Sequence, residues 1–161
     1  NANAVGVQRI DDTSGAVTMP EQPAFLARAS SDQNNIAIDT DVTVLYGTEV
    51  FDQGGDFASN TFTAPVTGRY LLSFGLRLQN IDSAASSYEA KIVTTNRYYA
   101  AFVLDPDFGQ DNGYFPLGGT VLADMDASDT AYILVRQNGG TGQTDLGGGD
   151  VQTFFSGFLV C

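Results

Sequence analysis

The chain has 161 residues, of which 43% are apolar and 16% are charged, and its net charge at pH 7 is −12. A strongly acidic protein is repelled by nucleic-acid phosphates and by anionic membrane surfaces, so neither is expected as a partner. The sequence contains no histidine and one cysteine, Cys161, which excludes histidine-based catalysis and an intrachain disulfide. No apolar run approaches the length of a membrane span, so membrane insertion is not expected.

Residues 1–20 are predicted to form an N-terminal arm or connector, and residues 21–161 a domain of their own. Val5, Val7 and Ile10 lie in a short stretch with strand character, and the turn sequence DDTSG follows it. Such an arm can add a strand to the sheet of a neighbouring chain, which would support higher-order assembly. The simpler alternative is a disordered tail, because chain ends often lack fixed structure. The chain begins with Asn rather than Met, which is expected of a processed chain or of a fragment.

From residue 24 onwards the sequence predicts strands separated by glycine-rich turns. The segment RYLLSFGLRL, residues 69–78, alternates with period two over ten residues. One face is apolar, and the other is mostly polar but is interrupted by Leu71. The apolar face consists of Tyr70, Leu72, Phe74, Leu76 and Leu78.

The remainder of the chain also favours strands. Segments 100–104 and 130–137 have strand character, and no stretch shows a helical stripe with caps. The nearest helical candidate, SAASSYEAKIV, ends in β-branched residues that fit a strand better. Many short strands with turns about every ten residues predict an all-β sandwich or jelly roll.

Two acidic segments are candidates for binding a divalent cation. The loop LDPDFGQDNG carries Asp105, Asp107 and Asp111 in alternation, and carboxylates in such a loop can bind Ca²⁺. The loop lacks the central Gly and the closing Glu of an EF-hand, so a solvated acidic turn is the favoured interpretation. The segment DMDASD is interpreted in the same way, as a β-turn between two strands. No cofactor is expected, and Ca²⁺ at this loop is the alternative.

No motif points to an enzyme. The serines lack a G-x-S-x-G context, and LGGGDV is a glycine-rich turn without the strand–helix setting of a nucleotide-binding loop. Carboxylate pairs act in glycosidases, but among 19 acidic residues some pairs arise by chance. The protein is therefore expected to be non-enzymatic.

The terminal segment FFSGFLV offers large apolar side chains to both faces of a strand. Phe155 and Leu159 fall on one face, and Phe154 and Phe158 on the other. One face can fill a core, and monomers rarely leave large apolar patches bare. The second face is therefore expected to be covered by partner subunits or by a long connection of the same chain.

Several segments together resemble the complement C1q-like domain of the C1q and tumour-necrosis-factor superfamily. QPAFLARAS resembles the first strand of that family, and GTVLADMDASDTAYILVRQ resembles a later pair of strands. TFFSGFLV resembles the terminal strand, so that the likeness extends over about residues 22–160. The central signature F-x-A-P-x-x-G-x-Y is matched by Phe62, Ala64, Pro65, Gly68 and Tyr70.

The sequence departs from the family pattern in a few places. Asn60 stands where the family often has glycine, and Asn is expected to take that role because it tolerates a left-handed backbone. The disulfides and calcium ligands of the family do not map onto this sequence.

The resemblance implies a jelly-roll sandwich of about ten strands that assembles as a homotrimer, with one sheet of each subunit around the three-fold axis. The residues assigned to the trimer interface or core are then Tyr70, Leu72, Phe74, Phe154, Phe155, Phe158 and Leu159.

The lead-in MPEQPAF resembles that of such domains in bacteriophage tail and fibre proteins. It favours a structural and binding module on a virion or extracellular surface that contacts a host glycan or protein. Two alternatives remain: a secreted filament subunit that uses its arm as an added strand, and a capsid-decorating protein anchored by that arm.

Overall fold

The computed structural model describes residues 8–10 and 13–161, so Val5 and Val7 of the predicted arm lie outside the described residues. The described chain contains strands and one short 3-10 helix, Asp150–Gln152. The strands are β1 (Arg9–Ile10), β2 (Val17–Thr18), β3 (Ala24–Arg28), β4 (Val42–Thr43), β5 (Thr48–Gln53), β6 (Phe57–Ala58), β7 (Thr61–Thr63), β8 (Gly68–Ile81), β9 (Ala85–Thr94), β10 (Tyr98–Leu104), β11 (Asn112–Met125), β12 (Thr130–Gly139), β13 (Asp145–Leu146) and β14 (Phe154–Leu159).

The strands form two six-stranded antiparallel sheets packed face to face. The first sheet has the order β11-β8-β14-β3-β5, with β13 also paired to β8. The second has the order β10-β9-β12-β7-β6, with β4 paired to β12. The terminal strand β14 thus lies between β8 and β3, which is the kind of crossover that jelly rolls contain.

This arrangement confirms the predicted all-β sandwich. The two sheets contain twelve strands within the described residues, rather than about ten. The additional strands are two-residue segments such as β4, β6 and β13, which are too short to show a period in the sequence. Within the same residues the structure has no helix that is long and apolar enough to cross a membrane.

The core between the sheets is rich in aromatic rings. Along β8, buried residues alternate with partly exposed ones, as the period-two pattern predicted. The ring of Phe25 on β3 stacks on Phe62 of the second sheet at 4.7 Å and meets Phe155 of β14 edge-on at 5.0 Å. Full burial of each such side chain contributes about 1.5–3 kcal/mol to folding. These contacts therefore fix which face of β14 turns inward.

Gly157 lets β14 approach the core closely. A Cβ atom at this position would lie 2.7 Å from Cδ2 of Leu72 and 2.8 Å from Cε1 of Phe25. The absence of a side chain thus makes room for the core residues of β8 and β3.

Asn60 adopts the conformation that the sequence comparison predicted. Its φ is 67°, in the left-handed region, and it lies in the tight connection between β6 and β7. Its side-chain oxygen accepts a hydrogen bond from the backbone N–H of Tyr46 at 2.6 Å. Asn60 therefore replaces a glycine and also ties this turn to the segment before β5.

Asp82, which follows β8, holds two loops together at one end of the sandwich. Its Oδ1 accepts the N–H of Ala84 at 2.8 Å, while its Oδ2 accepts the N–H groups of Thr141 at 2.5 Å and Gly142 at 2.7 Å. The side chain is buried. The hydrogen bonds from Gly142, Thr141 and Ala84 lower the pKa of Asp82, because they favour the ionised form.

We predict that Asp82→Asn lowers the free energy of unfolding at pH 7 by about 1.5–3 kcal/mol, because a charged hydrogen-bond acceptor is lost. The folded-state pKa of Asp82 lies below its unfolded value of about 3.9. Ionised Asp82 therefore stabilises the fold fully at pH values above its unfolded-state pKa. This stabilisation is lost as the pH falls through its folded-state pKa. Urea unfolding should show a smaller difference in the free energy of unfolding between wild type and variant at pH 3 than at pH 7. Asp126→Asn, at an exposed acid in another turn, is the control, and an equal gap at both pH values would contradict the prediction.

We also predict that Gly157→Ala destabilises the domain by about 1–3 kcal/mol, since overpacking forces the core apart. Thermal unfolding measures the effect. Gly113→Ala is a matched control, because a Cβ added there meets nothing within 4 Å. Equal stability of the two variants would show that β14 does not need its close approach.

Candidate interaction surface

The outer face of the first sheet carries a continuous set of apolar side chains. In the strand register Leu71 of β8 lies between Leu122 of β11 and Phe158 of β14. One row further along, Leu26 of β3 pairs with Phe51 of β5. We call the outward side chains of Leu26, Phe51, Leu71, Leu122, Phe154 and Phe158 the apolar face.

Three members of the apolar face are widely exposed in the single chain. Leu122 is 56% exposed, Phe51 50% and Phe158 44%. Ser73 and Thr120 lie in the same row as Leu26 and Phe51 and hydrogen-bond to one another through their hydroxyls at 2.9 Å. Their polar groups are thus largely satisfied within the sheet, which lowers the cost of covering this surface.

Phe154 and Phe158 differ in what they contact, although both point outward. A Cβ atom on Gly75, the neighbour of Phe154 on β8, would lie 2.5 Å from Cε1 of the Phe154 ring. The Phe154 ring therefore lies over Gly75 and packs on its own sheet, which leaves it half-buried. Phe158 has no such glycine beside it and remains exposed to solvent.

The charged residues around the apolar face, on the outer side of the first sheet, differ in balance from those of the whole chain. The register places Arg28, Arg69 and Arg77 on the outer side of the first sheet, together with the carboxylates of Asp124 and Asp145. Three cations against two acids contrast with the net charge of −12 for the whole chain. Two acidic chains can therefore meet here with less repulsion than elsewhere.

The outer face of the second sheet carries ion pairs. Lys91 lies 2.9 Å from Asp41 and 3.7 Å from Glu89, and Arg136 lies 3.8 Å from Asp41. Paired charges of this kind suit a solvated surface, since covering them would require their desolvation.

The structure divides the seven residues assigned to the trimer interface or core. Phe154 and Phe158 lie on the apolar face, and Leu159 is partly buried and packs against the core. The other four are buried between the sheets: Tyr70, Leu72, Phe74 and Phe155. Sequence reasoning missed Leu26, Phe51 and Leu122 because strand pairing, which the sequence does not show, brings them beside Leu71 and Phe158.

The three acidic residues of the candidate cation loop do not form a cluster in the described chain. Among residues 8–10 and 13–161, no group of three or more Asp, Glu, His or Cys residues lies close enough to hold a metal ion. Asp105 and Asp107 are exposed. Oδ1 of Asp111 accepts hydrogen bonds from the N–H of Ser83 at 2.9 Å and its hydroxyl at 2.7 Å, and these bonds lower the pKa of Asp111. Asp111 therefore connects two loops.

Ile10, the described residue of the predicted assembly arm, lies in a hairpin outside the sandwich. β1 pairs only with β2 in a two-stranded sheet, where Ile10 lies opposite Val17. Ile10 is 69% and Val17 57% exposed. The domain boundary at residue 20 and the assembly role of the arm stay predictions.

Comparison with known proteins identifies the fold. No protein-family model matches the sequence. The globular domain of the zebrafish complement 1qA protein matches with a TM-score of 0.59 and 18% identity, over 86% of this chain and 98% of that one. Murine APRIL matches with a TM-score of 0.62 and 11% identity, over 86% of this chain and 99% of its own. The protein therefore has the jelly-roll fold that C1q and the tumour necrosis factor family share.

Proposed function

We propose that the protein is a non-enzymatic binding module that assembles as a homotrimer through its apolar face. The observation that carries the proposal is the large exposure of Phe158, Phe51 and Leu122 on one uncharged stretch of the first sheet. Proteins with C1q or tumour-necrosis-factor folds are generally non-enzymatic, commonly trimerise and are typically extracellular, which supports the same role here.

A second copy of the chain is the occupant that best fits this face. A covering connection from the same chain was the alternative, but the exposed residues of the apolar face have no such cover within residues 8–10 and 13–161. Burial of one aromatic side chain contributes about 1.5–3 kcal/mol, and a closed ring of three copies multiplies that gain. The local excess of arginine over carboxylate on this face reduces the repulsion between chains that each carry −12.

The finer assignment is a receptor-binding domain of a bacteriophage tail fibre, working on a virion or other extracellular surface. It rests on the lead-in MPEQPAF. In this role the loops at the ends of the sandwich would contact a host glycan or protein, since binding residues are commonly carried by loops on a rigid scaffold.

A filament subunit is the second candidate, and the hairpin of β1 and β2 favours it. The hairpin belongs to neither six-stranded sheet and exposes Ile10 and Val17. Exposed apolar strand residues outside a domain are suited to pairing with a neighbouring chain. A capsid-decorating protein would use the same arm for attachment to a shell.

We predict that Phe158→Asp converts the trimer into monomers. The change removes about 1.5–3 kcal/mol of apolar burial per subunit and places three carboxylates in the interface. Light scattering coupled to size-exclusion chromatography at micromolar concentration should give three times the chain mass for the wild type and one chain mass for the variant.

Leu45→Asp is the matched control, because Leu45 is also 50% exposed but lies outside the apolar face. It should leave the trimer intact. A wild-type monomer, or a trimer that survives Phe158→Asp with unchanged mass, would refute the proposed interface.

Deletion of residues 1–20 distinguishes the candidate roles. We expect a folded trimer in each case, because the hairpin is not part of either sheet of the sandwich. Loss of polymers in negative-stain images would favour the filament, loss of shell attachment would favour the decorating protein, and unchanged cell binding would favour the fibre tip. If the shortened chain no longer forms a trimer, the domain does not assemble independently of the arm, and this prediction is wrong.

A further inference from the structure

A groove of about 490 Å³ lies at the end of the sandwich where β14 finishes, next to the row of the first sheet that contains Phe158. The connector before β3, the turn after β5, the loop between β7 and β8 and the residues after β14 form its walls. All of these walls belong to one chain, and neither Phe158 nor Leu122 of the apolar face lines the groove.

The walls of the groove are mainly apolar. Met19 is 41% exposed, and Val66 and Val160 are each 46% exposed. Pro65 and Leu159 complete the apolar lining. Three large side chains left this open at one concave site provide an apolar binding surface.

One carboxylate in this apolar wall has no partner among the side chains that the structure describes. Within that part of the chain, the carboxylate of Asp56 takes part in no ion pair and no hydrogen bond. The adjacent Asp52 is already used, because its two oxygens accept the N–H groups of Asp56 at 3.1 Å and Phe57 at 3.0 Å. Burial, and then the charge of Asp52, raise the pKa of Asp56.

The lining of the groove contains acids and no bases. Glu21 and Asp56 both line it, and none of the described lining residues is Lys or Arg. The groove therefore combines an apolar surface with uncompensated negative charge. The chemical group that matches both properties is a cation on an aliphatic stem.

We propose that this groove binds a lysine or arginine side chain of a partner protein, with the aliphatic stem along Val66 and Val160 and the cationic head at Asp56. A purely apolar occupant would cover the Asp56 carboxylate without a counter-charge, which is costly. An anionic occupant would add repulsion from Asp52, Asp56 and Glu21. A basic side chain instead supplies the missing partner of Asp56 and covers the apolar wall.

Three peptides that differ only at the central position test the proposal. The probes are Ac-Gly-Leu-Lys-Leu-Gly-NH₂, its norleucine analogue and its glutamate analogue, titrated into the full chain with detection by ¹⁵N–¹H NMR. The lysine peptide should shift the amides of Gly54, Val66 and Val160, and bind about tenfold more tightly than the norleucine peptide. The glutamate peptide should give no shifts at these amides.

Asp56→Asn should reduce the affinity for the lysine peptide about tenfold and leave the norleucine peptide unaffected. Asp107→Asn, at an exposed acid outside the groove, is the control. For the wild type, lysine-peptide affinity should fall as the pH drops through the pKa of Asp56, because protonation removes the charge. The Asn variant should show a weaker dependence, due only to the carboxylates of Glu21 and Asp52.

Equal binding of the lysine and norleucine peptides would overturn the proposal in favour of a purely apolar site. An unchanged affinity after Asp56→Asn, or shifts confined to other parts of the domain, would also overturn it. Shifts at the groove that appear when the protein alone is concentrated would make a second copy the occupant and refute the assignment to a basic partner. None of these outcomes depends on the trimer, whose mass is measured separately.

Discussion

The aromatic cluster that joins β14 and its sheet neighbour β3 to β7 of the opposite sheet is the interaction on which the rest of the structure depends. Phe155 meets Phe25 edge-on at 5.0 Å, and Phe25 stacks on Phe62 across the sandwich at 4.7 Å. Because side chains alternate along a strand, burial of Phe155 forces its neighbours Phe154 and Phe158 to the outside. The core therefore creates the apolar face, and the same contact that stabilises one subunit prepares the surface through which we propose that subunits meet.

Charge is distributed unevenly over the surface of this acidic chain. The net charge of −12 keeps the outside repulsive toward anionic surfaces, while the outer side of the first sheet carries Arg28, Arg69 and Arg77. At the end of the sandwich the opposite holds, since the groove has unpaired acid at Asp56 and no basic lining residue among those described. The two surfaces thus differ in the partners that we propose for them: copies of the chain on one, and a basic side chain on the other.

Asp82 and Asp111 show how an acidic residue can hold loops together by accepting hydrogen bonds. Each is held by donors from a neighbouring loop, and these donors lower its pKa. In a sequence, alternating carboxylates in a loop look like metal ligands because the partner N–H groups belong to segments far away along the chain. Asp111, for example, bonds to Ser83, and Asp82 bonds to Thr141. Only the folded chain reveals that such a carboxylate is already satisfied.

The sequence by itself determined the fold class, the strand character of β8 and β14, the two faces of each strand, and the left-handed role of Asn60. These are local properties, set by side-chain alternation and by backbone preference. Tertiary structure alone decided that Leu26, Phe51 and Leu122 join Phe158 on one surface, that Phe154 covers Gly75, and that Asp56 lies unpartnered in a groove. Those facts depend on strand register and on contacts between residues distant in the chain, for which a single sequence contains no periodic signal.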